Sequence, residues 1–185
     1  FRSQVESSFI QFFDNECFTK TQPPLITAGD CEGAGELFRI ESISKLAKNE
    51  KFFGKETFMT VSTQLHLEVL CQALSRVWVL SPCFRAEESD TNRHLAEFWM
   101  LEVEIAFVDD VSQLTTFAEK MIKSVVKRLV NNDNNMGNNL IKGTDNLVVE
   151  TMKNRWNMLL AKDWDSITYT QAIEILRDEY STNPT

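Results

Sequence analysis

The stretch FRAEESDTNRHLAEFWMLEVEIAF, residues 84–107, places five glutamates among aromatic and aliphatic residues. Apolar and polar residues alternate on both sides of its polar centre, and this alternation predicts two strands, Val77 to Glu87 and Glu97 to Val108. The polar residues between the strands predict the long loop of a β-hairpin. The sequence therefore predicts a hairpin that carries an unusual amount of charge.

Side chains alternate across a strand, so every second residue of the hairpin shares a face. One set is mainly apolar and is expected to pack against helices: Glu97, Trp99, Leu101, Val103, Ile105 and Phe107. The opposite set mixes charged and aromatic residues, with the similarly spaced Arg85 and Glu87 on the preceding strand: Phe98, Met100, Glu102, Glu104 and Ala106. This second face is either an ordinary solvated sheet face or a concave site for a ligand that carries a ring, an anion and an ammonium group.

Five helices are predicted around the hairpin from apolar residues at helical spacing. The first runs from Arg2 to Phe13, and the second, QLHLEVLCQALSR, is expected to turn Leu65, Val69 and Leu70 inward. The third, residues 111–130, has an apolar stripe and Asp109 or Asp110 as its cap; the stripe comprises Leu114, Phe117, Met121, Val125 and Leu129. The last two are LVVETMKNRWNMLL and TQAIEILRDEY, separated by a short extended SITYT.

The remaining segments are predicted to be extended or irregular. The prolines of CFTKTQPPLIT exclude helix, and TFMTVS alternates like a strand. The glycines of AGDCEGAGELF, residues 28–38, predict a mobile loop, and NNDNNMGNN predicts a surface loop. Together these elements predict an α+β fold, in which an antiparallel β-sheet is flanked by helices.

Composition excludes several classes of protein. The hydrophobic fraction of 43% is ordinary for a folded domain, and no apolar run approaches the roughly 18 residues that a membrane span needs. The N-terminal residues lack a basic start and a cleavage site, so a targeting peptide is expected to be absent or already removed. Four irregularly spaced cysteines and two histidines indicate neither a zinc site nor a disulfide framework. The net charge of -8 argues against a nucleic-acid surface within these residues.

Four stretches carry a resemblance to a known family. The hairpin sequence resembles motif 2 of class II aminoacyl-tRNA synthetases of the aspartate/asparagine subgroup. The stretches QPPLITAGDCEGAGELF and FFGKETFMTVSTQLHLE look specifically like asparaginyl-tRNA synthetases, and SITYTQAIEIL is similar to mitochondrial members. The resemblance implies activation of L-asparagine with ATP as substrate, followed by transfer to tRNA(Asn). It also implies a class II catalytic core, a homodimer through the motif 1 region, and a mitochondrial matrix location rather than the cytoplasm.

The resemblance assigns four residues to ATP. Arg85 matches the motif 2 arginine that bridges the α-phosphate and the amino acid carboxylate, and it would be the catalytic residue. Glu87 matches the acceptor of the adenine amino group, and Phe98 matches the ring on which adenine stacks. His94, aided by Arg93, matches the contact to the γ-phosphate. An ion pair between Arg85 and Glu104 is a structural alternative, and it is compatible with the role in ATP binding.

Four further residues are assigned to the amino acid together with Arg85. Glu102 and the loop residue Glu32 match acids that bind the substrate ammonium group. Gln64 matches a residue of the substrate pocket, and Glu68 matches the acceptor of the asparagine side-chain amide. Gln64 and Glu68 lie one helical turn apart, so an ordinary polar stripe on the helix is the alternative.

The family's glycine-rich third motif, its magnesium ligands and its N-terminal anticodon-binding barrel are not found in residues 1–185. The chain is therefore expected to be the N-terminal part of a catalytic domain, with motifs 1 and 2 in residues 1–108 and a helical insertion or extension in residues 109–185. Mg²⁺ is expected to bind outside this segment. Two alternatives remain, an aspartate-activating relative and a non-catalytic dimerisation or interaction module derived from a synthetase.

Overall fold

The computed structural model describes most of the chain, namely residues 1–29, 31, 33, 35–43, 51, 53–89, 91, 94–130 and 146–182. These residues form two compact units. One comprises Phe1–Ser8 and Thr115–Thr185, and the other comprises Phe9–Leu114 and contains the hairpin. The predicted Asn-rich loop lies outside the described residues, as do Asp30, Glu32 and Ala34 of the predicted mobile loop.

Five helices and five strands occur in the described residues. In chain order they are α1 (Arg2–Asn15), β1 (Thr19–Lys20), β2 (Ile26–Thr27), β3 (Phe58–Met59), α2 (Gln64–Leu74), β4 (Arg76–Phe84), β5 (Glu97–Ile105), α3 (Val111–Val130), α4 (Asn146–Ala161) and α5 (Tyr169–Thr182). All five predicted helices and the predicted hairpin are confirmed. No helix within the described ranges is long and apolar enough to cross a membrane.

The main sheet has the strand order β1-β4-β5. β4 and β5 pair antiparallel over nine residues each, from Arg76 opposite Ile105 to Phe84 opposite Glu97. β1 pairs parallel to β4, so the sheet has one parallel edge that the sequence did not predict. A second small sheet is formed by β2 and β3, which pair antiparallel.

Helices cover both faces of β4. On one face Phe13 of α1 stacks on the fully buried Trp78, with 4.4 Å between ring centroids. On the other face Leu67 and Cys71 of α2 pack against Val77 and Val79, which are also buried. β4 is therefore covered by a helix on each of its two faces.

The prediction that Leu65, Val69 and Leu70 of α2 face inward is wrong for Leu65 and Val69. Leu65 is 41% exposed and Val69 is 71% exposed, while Leu70 is partly buried. Apolar residues occur around most of this helix, so periodicity alone does not select a face. The helix instead buries Leu67 and Cys71, since a cysteine packs as a small apolar residue.

The predicted strands are too long at both ends of the hairpin. β4 ends at Phe84 and β5 ends at Ile105. Phe107, which was expected to face the core, is 91% exposed and has a φ of 62°. A positive φ is a turn conformation and breaks the alternation, so the prediction for Phe107 is wrong.

The predicted cap of α3 is confirmed. The backbone N–H of Ser112 donates to Asp110 Oδ1 at 2.6 Å, and hydrogen bonds from Ser112 lower the pKa of Asp110. Farther along the predicted stripe, Val125 and Leu129 are buried, whereas Leu114 at its start is 51% exposed.

Candidate functional site

The pairing register of the hairpin decides which side chains share a face. Residues directly opposite each other in an antiparallel pair project to the same side of the sheet. Phe98 lies opposite Cys83, Glu102 opposite Val79, and Glu104 opposite Val77. Arg85 follows directly after β4, and its N–H donates to the carbonyl of Ala96 at 3.0 Å. The mixed charged and aromatic face predicted from the alternation is therefore present.

Arg85 and Phe98 form the open end of this face. The guanidinium Cζ of Arg85 lies 5.4 Å from the centroid of the Phe98 ring, within the range of a cation–π contact. The Nε of Arg85 is buried and has no hydrogen-bond partner among the described residues. A buried donor without an acceptor costs about 1–3 kcal/mol, so this position favours the arrival of an anionic or carbonyl oxygen.

The backbone of Gly35 lies directly against the side chains of Arg85 and Glu87. A Cβ added at Gly35 would lie 3.1 Å from Cδ of Arg85 and 3.2 Å from Oε1 of Glu87. The next residue, Glu36, is joined to the hairpin, because its carbonyl accepts a hydrogen bond of 2.8 Å from the N–H of Ala86. Any side chain at position 35 would displace both charged groups, so a glycine is needed here. The local sequence did not indicate this role for Gly35.

The alternative ion pair between Arg85 and Glu104 is wrong. Arg85 lies beside Ala96, and Glu104 lies eight residues farther along β5, opposite Val77. At about 3.4 Å per residue the two backbones are roughly 27 Å apart, beyond the reach of any pair of side chains. Arg85 is therefore not neutralised by Glu104.

Glu102 occupies the middle of the face and contacts the residues that precede α2. Its carboxylate accepts hydrogen bonds from the hydroxyl groups of Ser62 and Thr63. It also accepts from the backbone N–H of Thr63, at 3.1 Å and 3.0 Å to its two oxygens. Ser62 and Thr63 were not predicted as site residues, because nothing in their local sequence indicates a partner 39 or 40 residues away.

Gln64 and Glu68 lie on the same side of α2, as predicted. Gln64 Nε2 donates to Glu68 Oε1 at 3.0 Å, and Gln64 Oε1 lies 3.7 Å from the thiol of the buried Cys31. Glu68 and Glu104 line one cavity of about 330 Å³ together with Cys71, Gln72, Ile105, Ala106 and Phe107. Burial, followed by the negative charge of Glu68, raises the pKa of Glu104.

The hairpin face also contains a buried thiol, Cys83, which lies opposite Phe98. Burial and the charge of Glu102 raise its pKa to about 12, although Arg85 acts in the opposite direction. The thiolate is the nucleophilic form of cysteine, so a thiol with this pKa is unreactive near neutral pH. Cys83 is therefore part of the site's floor and does not act as a nucleophile.

Three predicted site residues remain, namely His94, Arg93 and Glu32. His94 is exposed, and its Nδ1 lies 2.9 Å from Ser89 Oγ and 2.6 Å from Thr91 Oγ1. Within the described part of the chain, no hydrogen bond joins His94 to Arg85. Glu32 and Arg93 lie outside the described residues. Among the residues that are described, no three His, Cys, Asp or Glu side chains are grouped as metal ligands.

Comparison with known sequences agrees with this arrangement. The family described as tRNA synthetases class II (D, K and N) matches residues 1–184. The mitochondrial asparagine–tRNA ligase of Saccharomyces cerevisiae is 47% identical over 97% of this chain and 38% of its own length. The asparagine–tRNA ligase of Shewanella loihica is 39% identical over 95% of this chain and 39% of its own length. The chain thus spans about two fifths of the length of these relatives.

Comparison with solved structures gives the same group. The asparaginyl-tRNA synthetase of Pyrococcus horikoshii, solved in complex with asparaginyl-adenylate, matches with a TM-score of 0.73 and 28% identity. The match covers 96% of this chain and 36% of that protein. The α+β fold predicted from the hairpin is therefore the fold of this group of enzymes. On the family match over nearly its whole length, the chain belongs to the class II tRNA synthetases of the D, K and N group.

Proposed function

We propose that the chain is the N-terminal part of the catalytic domain of an asparagine–tRNA ligase. The enzyme would activate L-asparagine with ATP to asparaginyl-adenylate and transfer the asparaginyl group to tRNA(Asn). Residues 1–108 would carry motifs 1 and 2, and residues 109–185 would be a helical insertion or extension. The observation that carries this proposal is the guanidinium of Arg85, which lies beside the Phe98 ring with a buried Nε that lacks an acceptor among the described residues.

Arg85, Phe98, Glu87 and His94 form the ATP end of the proposed site. The planar fork of Arg85 can bind an α-phosphate oxygen and a substrate carboxylate oxygen together and stabilise the charge that grows on phosphorus. Phe98 offers a ring on which adenine stacks, and Glu87, held near Gly35, offers an acceptor for its amino group. His94, aided by Arg93, would contact the γ-phosphate.

The amino acid end of the proposed site comprises Gln64, Glu68, Glu102 and the loop residue Glu32, together with Arg85. Glu68 presents a carboxylate on the same side of α2 as Gln64, and an amide NH₂ donates to such a group whereas a carboxylate is repelled by it. This charge pattern supports asparagine over aspartate. It also argues against the aspartate-activating alternative.

The remaining partners are proposed from the relatives. Mg²⁺ would accompany the ATP phosphates, with ligands outside residues 1–185, as the resemblance to the family implies. The name of the yeast relative supports a location in the mitochondrial matrix, although a bacterial relative is almost as similar.

The full-length protein is expected to catalyse ATP–pyrophosphate exchange with asparagine and not with aspartate or lysine. Exchange measures adenylate formation directly and requires no tRNA. Preferential exchange with aspartate would support the aspartate-activating alternative. Absence of exchange with all three amino acids, in a folded protein and with tRNA added, would instead support a non-catalytic module.

We also propose a homodimer through α1 and the segment TKTQPPLIT. The phenylalanines of this region pack within the chain and do not supply the contact surface. Phe12, Phe13 and Phe18 are buried within the chain, and Phe9 stacks on Phe13 with 6.3 Å between centroids. The proposed dimer interface is supported by an apolar cavity of about 670 Å³ beside this segment. Its lining residues are Thr21, Gln22, Pro23, Pro24, Thr27, Leu65, His66, Val69 and Leu70.

Sedimentation of the full-length protein at micromolar concentration should show a dimer. Ile26 lies in the proposed interface and is 46% exposed, so Ile26→Asp should weaken the dimer about tenfold or more, because a charge would be buried there. Ile43→Asp is the matched control, since Ile43 is 91% exposed outside this segment. A wild-type monomer, or equal effects of the two variants, would contradict the proposal.

A further inference from the structure

The threonine before α2 directs its side chain to a distant strand. Thr63 occupies the N-cap position, where a hydroxyl usually accepts a hydrogen bond from the first turn of its own helix. Within the described helix, Thr63 makes no such bond with its side chain. Its hydroxyl donates instead to Oε2 of Glu102, which lies 39 residues away on β5. Thr63 is completely buried, so water does not compete for this bond.

Three donors hold the Glu102 carboxylate in one orientation. The Thr63 hydroxyl donates to Oε2, and the Ser62 hydroxyl donates to Oε1. The N–H of Thr63 lies between the two oxygens, 3.1 Å from Oε1 and 3.0 Å from Oε2. The last torsion of a glutamate side chain has a broad range, so hydrogen bonds of this kind decide where its oxygens point. Ser62 and Thr63 therefore fix the plane of the carboxylate.

The same carboxylate can still bind a further donor. An ionised carboxylate has about four lone-pair sites, and two hydroxyls with one N–H leave part of this capacity. Glu102 is also only partly buried. Hydrogen bonds between two charged groups are stronger than bonds between neutral groups, so a cationic donor gains most from such an acceptor. An ammonium group is therefore the ligand that this carboxylate suits.

The opposite charge of the site lies on the same face of the hairpin. Burial raises the pKa of the Cys83 thiol, the charge of Glu102 raises it further, and Arg85 lowers it, so both charges act on one thiol. An α-amino acid carries an ammonium group and a carboxylate on one carbon. A fixed carboxylate and a guanidinium on one face suit these two groups.

We infer that Thr63 is a positioning residue of the amino acid site, whose buried hydroxyl holds the Glu102 carboxylate in the orientation that receives the substrate ammonium group. The side chain of Thr63 is completely buried, so it acts through Glu102 and not by touching the substrate. The inference rests on the proposed function, in which Glu102 binds that ammonium group.

The test compares asparagine with succinamic acid, which keeps the amide and the carboxylate but lacks the ammonium group. In the full-length protein, Thr63→Val removes the hydroxyl and nearly keeps the shape of the side chain. The KM for asparagine in pyrophosphate exchange should rise about tenfold at nearly unchanged kcat, because the ammonium contact is made in the ground state and the transition state alike. Competitive inhibition by succinamic acid should keep its wild-type strength.

Two results would overturn the inference. Equal losses for asparagine and succinamic acid would show that Thr63 only supports the start of α2. An unchanged or lower KM for asparagine would show that the hydroxyl does not hold the carboxylate for the ammonium group.

Three further variants make the result specific. Thr63→Ser keeps the hydroxyl and should restore the wild-type KM. In a Glu102→Gln background, Thr63→Val should cause little further loss for asparagine, because the hydroxyl acts through that carboxylate. Thr57→Val is the matched control, since Thr57 is also buried but donates its hydroxyl to the carbonyl of Lys55, and it should leave both ligands unaffected. Failure of serine to restore the KM, or full additivity of the Thr63 and Glu102 effects, would contradict the inference.

A readout without substrate separates this inference from the proposed function. The N–H of residue 63 donates to the carboxylate that the hydroxyl orients. After correction for intrinsic rates, hydrogen exchange at this amide should be about tenfold faster or more in Thr63→Val, and unchanged in Thr63→Ser and Thr57→Val. Wild-type exchange in Thr63→Val would overturn the inference even in an active enzyme. Failure of the wild type to activate asparagine, with the exchange effect present, would refute the proposed function alone.

Discussion

Arg85→Ala is expected to lower asparagine-dependent ATP–pyrophosphate exchange by about 10²-fold or more in the full-length protein. The guanidinium would be engaged most strongly in the transition state, when charge builds on the α-phosphorus, so its loss falls mainly on kcat. The fold should be retained. Arg85 contacts Phe98 through its guanidinium, and no ion pair to another described residue would be broken.

Two further variants make this result specific. Arg85→Lys keeps one positive charge but loses the planar fork, so it should recover only part of the lost exchange. Arg39→Ala removes an exposed arginine that pairs with Glu41, and it should behave as the wild type. Circular dichroism and thermal unfolding report whether each variant is folded. Near-normal exchange by folded Arg85→Ala would remove Arg85 from the mechanism.

The central hairpin could be predicted because its signal is local. Alternation within each strand gives the faces, and the short distance along the chain favours pairing of the two strands. The strand ends could not be predicted, because they depend on remote partners. The N–H of Ala86 leaves the hairpin and donates to Glu36, and the N–H of Ala106 donates to Ser75. Both bonds join segments whose proximity exists only in the folded chain.

The buried face of α2 could not be predicted for a different reason. Leu65, Leu67, Val69 and Leu70 are all apolar, so the helical period is compatible with more than one buried face. The observed face places Leu67 against the sheet and leaves Val69 exposed. Ser62 and Thr63, directly before this helix, bond to Glu102 on β5, and tertiary bonds of that kind leave no periodic trace in the sequence.

The candidate site was predictable where the strand places its residues and not where distant segments meet. The alternation placed Arg85, Phe98 and Glu102 on one face, as the register confirms. It did not reveal that Gly35 lies against Arg85, or that Glu104 shares a cavity with Glu68. The catalytic and binding roles assigned to these residues stay predictions that substitution must test.

Glu68→Gln is expected to change the choice between asparagine and aspartate. In the wild type, the carboxylates of Glu68 and Glu104 line one cavity, and burial and Glu68 together already raise the pKa of Glu104. A substrate carboxylate beside Glu68 would bring two negative charges together at a cost of several kcal/mol, whereas an amide donates to Glu68. Sites built around such hydrogen bonds discriminate by roughly 10⁴-fold.

Glutamine at position 68 keeps the shape of the side chain and removes its charge. Asparagine activation should therefore fall while the penalty against aspartate shrinks, by about tenfold or more in the ratio of the two kcat/KM values. The measurement is pyrophosphate exchange with each amino acid, for wild type and variant. Gln72→Ala, one turn farther along α2 on the same cavity, is the control for a neutral change of the helix surface. An unchanged asparagine-to-aspartate ratio in Glu68→Gln would reduce Glu68 to part of a polar stripe, because a residue that reads the amide must alter the ratio when its charge is removed.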